Sequence, residues 1–231
     1  SHTVELTSNP NTIATATATI ATTGEIKKFT VTNRGNMSYT AVPDVTLSGT
    51  GSGAGTAQLS SGQRVIAVAV DAGGSAFVSP TAAFAAPPEQ TFVGGVSTVD
   101  IANDSINIDN HPFETGQQIS LDTTTLDSNA VAPTGLAAGT YYAIRVDGNN
   151  FKVASSASNA NNGTAVNITG AGSGNMFFQG VTALGTVQIS AGAITGVTIT
   201  ESGTGYTGAP IITITDSAGS GENLSVTMGQ N

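Results

Sequence analysis

The chain has 231 residues, of which only 9% are charged, and its net charge at pH 7 is -9. Six basic against fifteen acidic residues disfavour binding to nucleic-acid phosphates or to anionic lipid, since both depend on Lys and Arg. The absence of cysteine excludes disulfides and thiolate metal sites. The sequence also lacks a run of about 18 apolar residues, so we predict no membrane-spanning helix.

The hydrophobic content is thin, because aromatic residues make up 5% of the chain and tryptophan is absent. Much of the apolar count is alanine, which buries little area per residue. We therefore expect small modules with small cores that gain stability from partners or from copies of the same chain.

Strand signals begin at the first residues. Thr3–Asn9 is interpreted as an N-terminal arm that adds a strand to a neighbouring protein, which makes Thr3, Val4 and Leu6 candidate partner-binding residues. Thr12–Thr22 (TIATATATIAT) then alternates with period two, as a half-buried strand does. Further predicted strands are Phe29–Thr32, Asp44–Leu47, Val65–Val70, Ser97–Ile101, Ser105–Ile108, Gln118–Leu121, Tyr141–Val146, Phe151–Ala154, Ala165–Ile168, Val187–Ile189, Gly196–Thr200, Ile211–Thr215 and Leu224–Met228.

An internal repeat relates Gly24–Leu59 to Gly192–Met228. Both segments run from a strand through a glycine-containing turn to a tyrosine, then to a proline four residues later, a second strand, GSG and a third strand. We expect the turn glycines to adopt positive φ and the tyrosine to pack over the turn. A degenerate copy is predicted at Val65–Ala86, where Phe77 and Pro80 replace the Tyr and Pro.

The predicted fold is all-β, with short-stranded β-sandwich or meander repeats and an inserted small β-barrel or β-sandwich domain. The expected domains are an arm at 1–10, a repeat domain with copies one and two at 11–95, the inserted module at 96–179, and a third copy at 180–231 that packs with the first domain. The Pro87–Pro88 pair and Gly180 mark composition shifts near the ends of the insertion.

Two segments resemble modules of tailed-bacteriophage virion proteins, especially of phages that infect marine bacteria and cyanobacteria. Val197–Gly221 resembles the repeat V-T-x-x-G-x-G-Y-x-x-x-P-x-V-T-I-T…G-S-G-A, and 31–53 is a looser copy with Asn36 and Met37 in the glycine turn. Residues 111–163 resemble a module H-x-F-x-T-G…G-L-x-x-G-T-x-Y-Y…F-K-L-A, although Gln117 replaces its usual acidic residue. The matching residues are His111, Phe113, Thr115, Gly116, Gly135, Leu136, Gly139, Thr140, Tyr141, Tyr142, Asp147, Phe151, Lys152, Ala154 and Gly163.

The resemblance implies a virion structural protein. Because low charge and short Thr and Ser side chains suit flat contacts that the symmetry of a particle repeats, the first hypothesis is a capsid decoration or cement protein on the outer surface of the phage head. The expected partners are the major capsid protein or other virion proteins, and the chain is expected to form a homo-oligomer, with a trimer as the family-level expectation for head decorations. Such modules also occur in neck, tail and fibre proteins. A tail, neck or fibre component that binds a receptor through Tyr141, Tyr142, Phe177 and Phe178 is therefore an alternative.

A third hypothesis is a bacterial surface adhesin or glycan-binding protein, against which the absence of signal-peptide features at the start of the sequence weighs. We predict no enzymatic activity and no cofactor. His111 with Asp100, Asp104, Asp109 and Glu114 could form a metal or acid–base cluster, but a histidine that opens a barrel strand is the favoured interpretation.

Four other carboxylates could bind calcium, but we expect them to cap turns; they are Asp122, Asp127, Asp147 and Asp216. The glycine-rich segments 49–55 and 172–177 lack the Lys-Ser/Thr and the helix of a phosphate-binding loop.

Overall fold

A computed structural model describes residues 62–230 and, before them, the backbone of four strands. The chain is nearly all β, with 51% of residues in strands and 3% in helix, so the predicted fold class is confirmed. It divides into two compact units, Ser1–Leu59 with Gly229–Asn231 and Ser60–Met228.

The first unit contains a four-stranded antiparallel sheet, here called the N-terminal sheet, in the order β3-β2-β1-β4. Its strands are β1 (Thr3–Thr7), β2 (Thr15–Ile20), β3 (Ile26–Asn33) and β4 (Asp44–Leu47). Within the segment expected to reach a neighbour as an arm, β1 therefore lies inside a sheet of its own chain, where it pairs with β2 on one side and with β4 on the other.

A seven-stranded antiparallel sheet, here called the barrel module, has the order β7-β13-β10-β11-β12-β9-β8 and is nearly closed. Its strands are β7 (Gln90–Gly94), β8 (Val99–Asp100), β9 (Ser105–Asn107), β10 (Gln118–Asp122), β11 (Gly139–Arg145), β12 (Asn150–Ala154) and β13 (Gly174–Gly180). The two edge strands are consecutive in the chain, and the Thr98 hydroxyl donates to the Val93 carbonyl across their connection.

The barrel module begins earlier than the sequence indicated. β7 falls in the range 11–95 assigned to the repeat domain, yet it pairs with β13 from Gln90↔Phe178 to Gly94↔Gly174. The predicted strand Ala165–Ile168 is wrong, because this segment has no strand pairing, although Ile168 is buried. A five-residue helix, α1 (Ala157–Asn161), precedes it and is capped by the Ser156 side chain.

The remaining six strands form the C-terminal repeat, whose pairs are β5–β17, β6–β16 and β14–β15. Its strands are β5 (Gln63–Ser75), β6 (Thr81–Phe84), β14 (Leu184–Ser190), β15 (Ala193–Glu201), β16 (Ile212–Thr215) and β17 (Ser220–Gln230). β5 also runs beside β15, with the Phe77 amide bonded to the Gly192 carbonyl and the Val65 amide to the Ser202 carbonyl. The predicted degenerate copy at Val65–Ala86 thus supplies strands that complete the C-terminal copy.

The N-terminal sheet and the C-terminal repeat share a strand arrangement. Hairpin β2–β3 has register shifts at Thr15/Ala16 and Thr19/Ile20, and hairpin β14–β15 has them at Leu184/Gly185 and Gln188/Ile189. β4 pairs antiparallel with β1 as β16 pairs with β6, and β6 lies beside β14 as β1 lies beside β2. In this correspondence the whole barrel module occupies the β6–β14 connection, where the N-terminal sheet has only residues 8–14.

Tyr206 joins the two chain segments that enter and leave the barrel module. Its side chain is 1% exposed in a small core with Val65, Phe84 and Ala183. The hydroxyl donates to the Ala85 carbonyl (2.9 Å) and accepts from the Ala183 amide (3.0 Å). Gly203 and Gly205 in the preceding turn have φ of +68° and +74°, as predicted for this turn.

Removing this hydroxyl should destabilise the protein. Tyr206→Phe keeps the ring but leaves the buried Ala183 amide and the partly buried Ala85 carbonyl without their partner, which costs about 1–3 kcal/mol of unfolding free energy. Urea denaturation measures the change, and Tyr142→Phe, at a half-buried tyrosine outside this core, is the matched control. Equal effects of the two substitutions would contradict the assigned role.

Candidate functional site

The strongest candidate cluster from the sequence surrounds His111, which lies in the barrel core. The imidazole is 0% exposed, and its ring centroid lies 4.8 Å from that of Phe151 and 5.8 Å from that of Phe113. Nδ1 accepts a hydrogen bond from the Phe113 amide at 3.3 Å. Burial lowers the pKa of His111 below its usual value near 6.5, with a smaller contribution from the Arg145 charge. His111 is therefore a buried core residue rather than a ligand, but it lies in the connection between β9 and β10 and does not open a strand, as the favoured interpretation expected.

The carboxylates expected near His111 have separate tasks. Asp104 accepts the Ile168 amide, Asp100 caps the turn at Ala102 and Asn103, and Asp109 is exposed. Glu114 forms a salt bridge with Arg145 (3.1 Å) in a largely buried setting. These carboxylates therefore do not form one cluster. Within residues 62–230, no three His, Asp or Glu side chains lie close enough together to bind a metal ion.

The motif that follows His111 forms a tight connection to β11. The Thr115 hydroxyl accepts the Arg145 amide, and the Gly116 amide donates to the Ala143 carbonyl. Gly116 has a φ of +88°, and a Cβ there would lie 2.7 Å from the Asn161 Oδ1. These motif positions thus serve the geometry of the barrel module.

The second half of the motif has the same character. At Gly135 the φ is +107°, and a Cβ would lie 2.1 Å from the Asn167 carbonyl oxygen, so only glycine fits. Tyr141 packs against the barrel core, where its hydroxyl accepts from the Ala137 amide and donates to the Ala137 carbonyl. Tyr142 is half-buried outside that cluster. Of the two candidate partner-binding tyrosines, one is therefore engaged in the fold, as their alternation along one strand predicted.

The aromatic surface expected of a receptor-binding protein is not formed by the predicted residues. Phe178 is 0% exposed and Phe177 is 6% exposed, and both lie within β13. Every aromatic side chain in the described range 62–230 is buried or half-buried. The side chains of Thr3, Val4 and Leu6 lie outside the described residues, and strand addition through β1 would require its pairings with β2 or β4 to open.

The acidic turn residues cap backbone amides, as predicted. Asp122 accepts hydrogen bonds from the amides of Thr124 and Thr125, and Asp127 accepts one from the amide of Asn129. Asp147 accepts hydrogen bonds from the amides of Asn149 and Asn150. Hydrogen bonds from these amides lower the pKa of Asp122 and the pKa of Asp147. Asp216 accepts four amides, two from its own turn and two from Val78 and Ser79. These bonds lower the pKa of Asp216 to about 2.

The glycine segment 172–177 packs against another loop. A Cβ at Gly172 would lie 2.4 Å from the Val131 carbonyl oxygen, and one at Gly174 would lie 2.7 Å from the Ala130 Cα. These glycines therefore permit close backbone packing, which leaves them no open cradle for phosphate. The segment 49–55 lies outside the described residues.

Sequence reasoning missed one residue that connects the modules. The Thr204 hydroxyl donates to the Gln118 carbonyl of β10 and accepts the Val181 amide, while the Thr204 amide donates to the Val181 carbonyl. A threonine in a glycine turn gives no local signal of this contact, because its partners lie 23 and 86 residues away.

Within the described residues, no helix is long and apolar enough to cross a membrane.

Comparison with known proteins adds no relative, since the chain matches no family model, no curated protein and no solved structure.

The buried neutral His111 predicts acid sensitivity. Because its pKa is lower in the folded than in the unfolded state, stability should be complete above about pH 6.5 and fall as the pH decreases below that value. His111→Gln should flatten the dependence of unfolding free energy on pH over this range. Denaturant titrations from pH 8 to pH 5 measure the slope, and an unchanged slope in the variant would contradict a neutral buried histidine.

Asp216 predicts a second effect at lower pH. Its folded-state pKa of about 2 lies below the ordinary value of 3.8, so its contribution is present above about pH 4 and is lost as the pH falls towards 2. Asp216→Asn should have a lower melting temperature than the native protein at pH 7. The difference between the two melting temperatures should become smaller as the pH falls to 2. Asp109→Asn, at an exposed carboxylate, is the control. A constant difference at all pH values would refute the assignment.

Proposed function

We propose that this protein is a structural component of a tailed-phage particle, and specifically a head decoration or cement protein that binds the major capsid protein on the outer surface of the shell. The observation that carries the proposal is the role of the phage-like motif residues. His111, Phe113 and Phe151 form an aromatic core, while Gly116 and Gly135 fit turns that other residues cannot adopt. The motif therefore encodes a scaffold, and the phage proteins that it resembles are structural.

The distribution of polar groups supports a binding role over a catalytic one. Asp100 caps a turn, Asp104 accepts a backbone amide, Glu114 forms a salt bridge and His111 lies in the core, while Asp109 is exposed. The exposed strand faces of the C-terminal repeat carry short uncharged side chains such as Thr186, Thr198 and Thr213, together with a few charged and apolar ones, among them Asp71, Glu201 and Leu184. Such faces suit flat contacts of modest strength, which symmetry in a particle multiplies.

The location on the head is favoured over a receptor-binding role by the aromatic residues. Glycan and receptor sites commonly use exposed aromatic rings, yet Phe92, Phe177 and Phe178 are all buried. A neck, tail or fibre location is an outcome that the following experiment distinguishes.

Counting the protein in purified particles of the phage that encodes it tests the proposal. A decoration protein should be present in fixed proportion to the major capsid protein, because each shell subunit offers the same site. Quantitative mass spectrometry with isotope-labelled peptides of both proteins measures the ratio. A few copies per particle would place the protein in the neck or fibre, and its absence from particles would refute the proposal.

A further inference from the structure

The only Asn-Gly pair of the sequence, Asn162–Gly163, lies at the end of α1. Both residues are exposed, and a Cβ added to Gly163 would meet no atom within 4 Å. Among the residues that the structure describes, no hydrogen bond holds the side chain of Asn162. The side-chain amide therefore lies in open space beside the backbone nitrogen of a glycine.

An asparagine that precedes glycine can lose its side-chain amide without an enzyme. The backbone nitrogen of the glycine gives up its proton and attacks the side-chain carbonyl carbon, and ammonia leaves as a cyclic succinimide forms. Water then adds to either ring carbonyl and opens the ring, which yields aspartate or isoaspartate. Glycine permits this closure best, because it has no Cβ to crowd the ring and its backbone turns freely.

The last turn of α1 holds this pair away from the reactive geometry. Asn162 has a φ of -88° and a ψ of -3°, and its amide donates to the Ser158 carbonyl at 3.0 Å. The Gly163 amide, which must lose its proton, donates to the Ala160 carbonyl at 3.0 Å. These bonds must break before the ring can close. Because α1 has only five residues, its last turn is held by few contacts and opens locally.

The Asp147–Gly148 pair provides a contrast within the same molecule. An aspartate before glycine can close the same ring, with water as the leaving group. The Asp147 carboxylate, however, accepts hydrogen bonds from the amides of Asn149 and Asn150, both at 2.8 Å, and these bonds lower its pKa. An ionised carboxylate resists attack by nitrogen, so this pair should remain unchanged.

We propose that Asn162 is a site of spontaneous deamidation, and that the capping and packing of α1 set its rate. The reaction replaces an uncharged amide with a carboxylate, which makes an acidic chain more acidic. The isoaspartate product also lengthens the backbone between residues 162 and 163, where the Gly163 and Thr164 amides donate to carbonyls of α1. The reaction needs no partner, so it is independent of the proposed decoration function.

Incubation of the full-length protein at pH 8 tests the site. Peptide mapping by mass spectrometry follows the conversion of amide to acid at residue 162, and chromatography separates the isoaspartate from the aspartate peptide. Asn223, which is exposed in β17 and precedes a leucine, should remain an amide. The native chain should convert more slowly than the same chain unfolded in guanidinium chloride.

Matched substitutions in α1 test the control of the rate. Ser156→Ala removes the side-chain oxygen that accepts the Asn159 amide at 3.1 Å, whereas Ser158→Ala, at an exposed position of the same helix, keeps this cap. Ser156→Ala should deamidate about fivefold faster than the native chain, because the loss of a cap favours the open helix by about that factor. Ser158→Ala should be no faster, and Ser156→Asp, which retains a capping oxygen, should restore the native rate. Thermal melting confirms that each variant folds.

Three results would overturn the proposal. An amide that persists at residue 162 in the native chain and in Ser156→Ala, while the unfolded chain converts, would refute the site. Equal rates in the native chain, in Ser156→Ala and in the unfolded chain would refute control by α1. Aspartate without isoaspartate would refute the succinimide route.

Discussion

The fold depends on one buried hydroxyl that joins two distant points of the chain. Tyr206 bonds the Ala85 carbonyl before the barrel module and the Ala183 amide after it. A small core cannot hold a large insertion by apolar contact alone, since it contains few buried side chains besides Val65, Phe84 and Ala183. Directional bonds at the two crossing points therefore fix the barrel module to the repeat, and Thr204 adds a further connection through β10.

Local chemistry was predictable from the sequence, and strand partners were not. The positive φ of Gly203 and Gly205, the burial of Tyr206 and the turn caps of the aspartates all follow from single residues and their neighbours. The pairing of β5 with β17 and of β6 with β16 joins residues more than a hundred positions apart. Alternation indicates a strand, but it carries no information about its neighbour.

The missed strands have a physical reason as well. β13 contains Met176, Phe177 and Phe178, three consecutive buried residues, so it lacks the alternation by which the other strands were found. Ala165–Ile168 alternates as a strand does, yet its backbone forms isolated hydrogen bonds instead of a strand ladder. One of them joins the Val166 amide to the Val153 carbonyl. The candidate site shows the same contrast between local and long-range features. The sequence predicted that His111 is no ligand and that the aspartates cap turns, but it did not predict the long-range contacts of Thr204.

In this interpretation the barrel module is an insertion in the second of two related sheets, and Tyr206 and Thr204 hold it in place. Native-state hydrogen exchange of the Ala183 amide, compared with the Ala143 amide in the barrel core, tests this most directly. If the insertion is fixed by the tyrosine, Ala183 should exchange only through opening of the whole 60–228 unit, with protection close to that of Ala143. Fast exchange at Ala183 beside slow exchange at Ala143 would show two independent bodies and contradict the account.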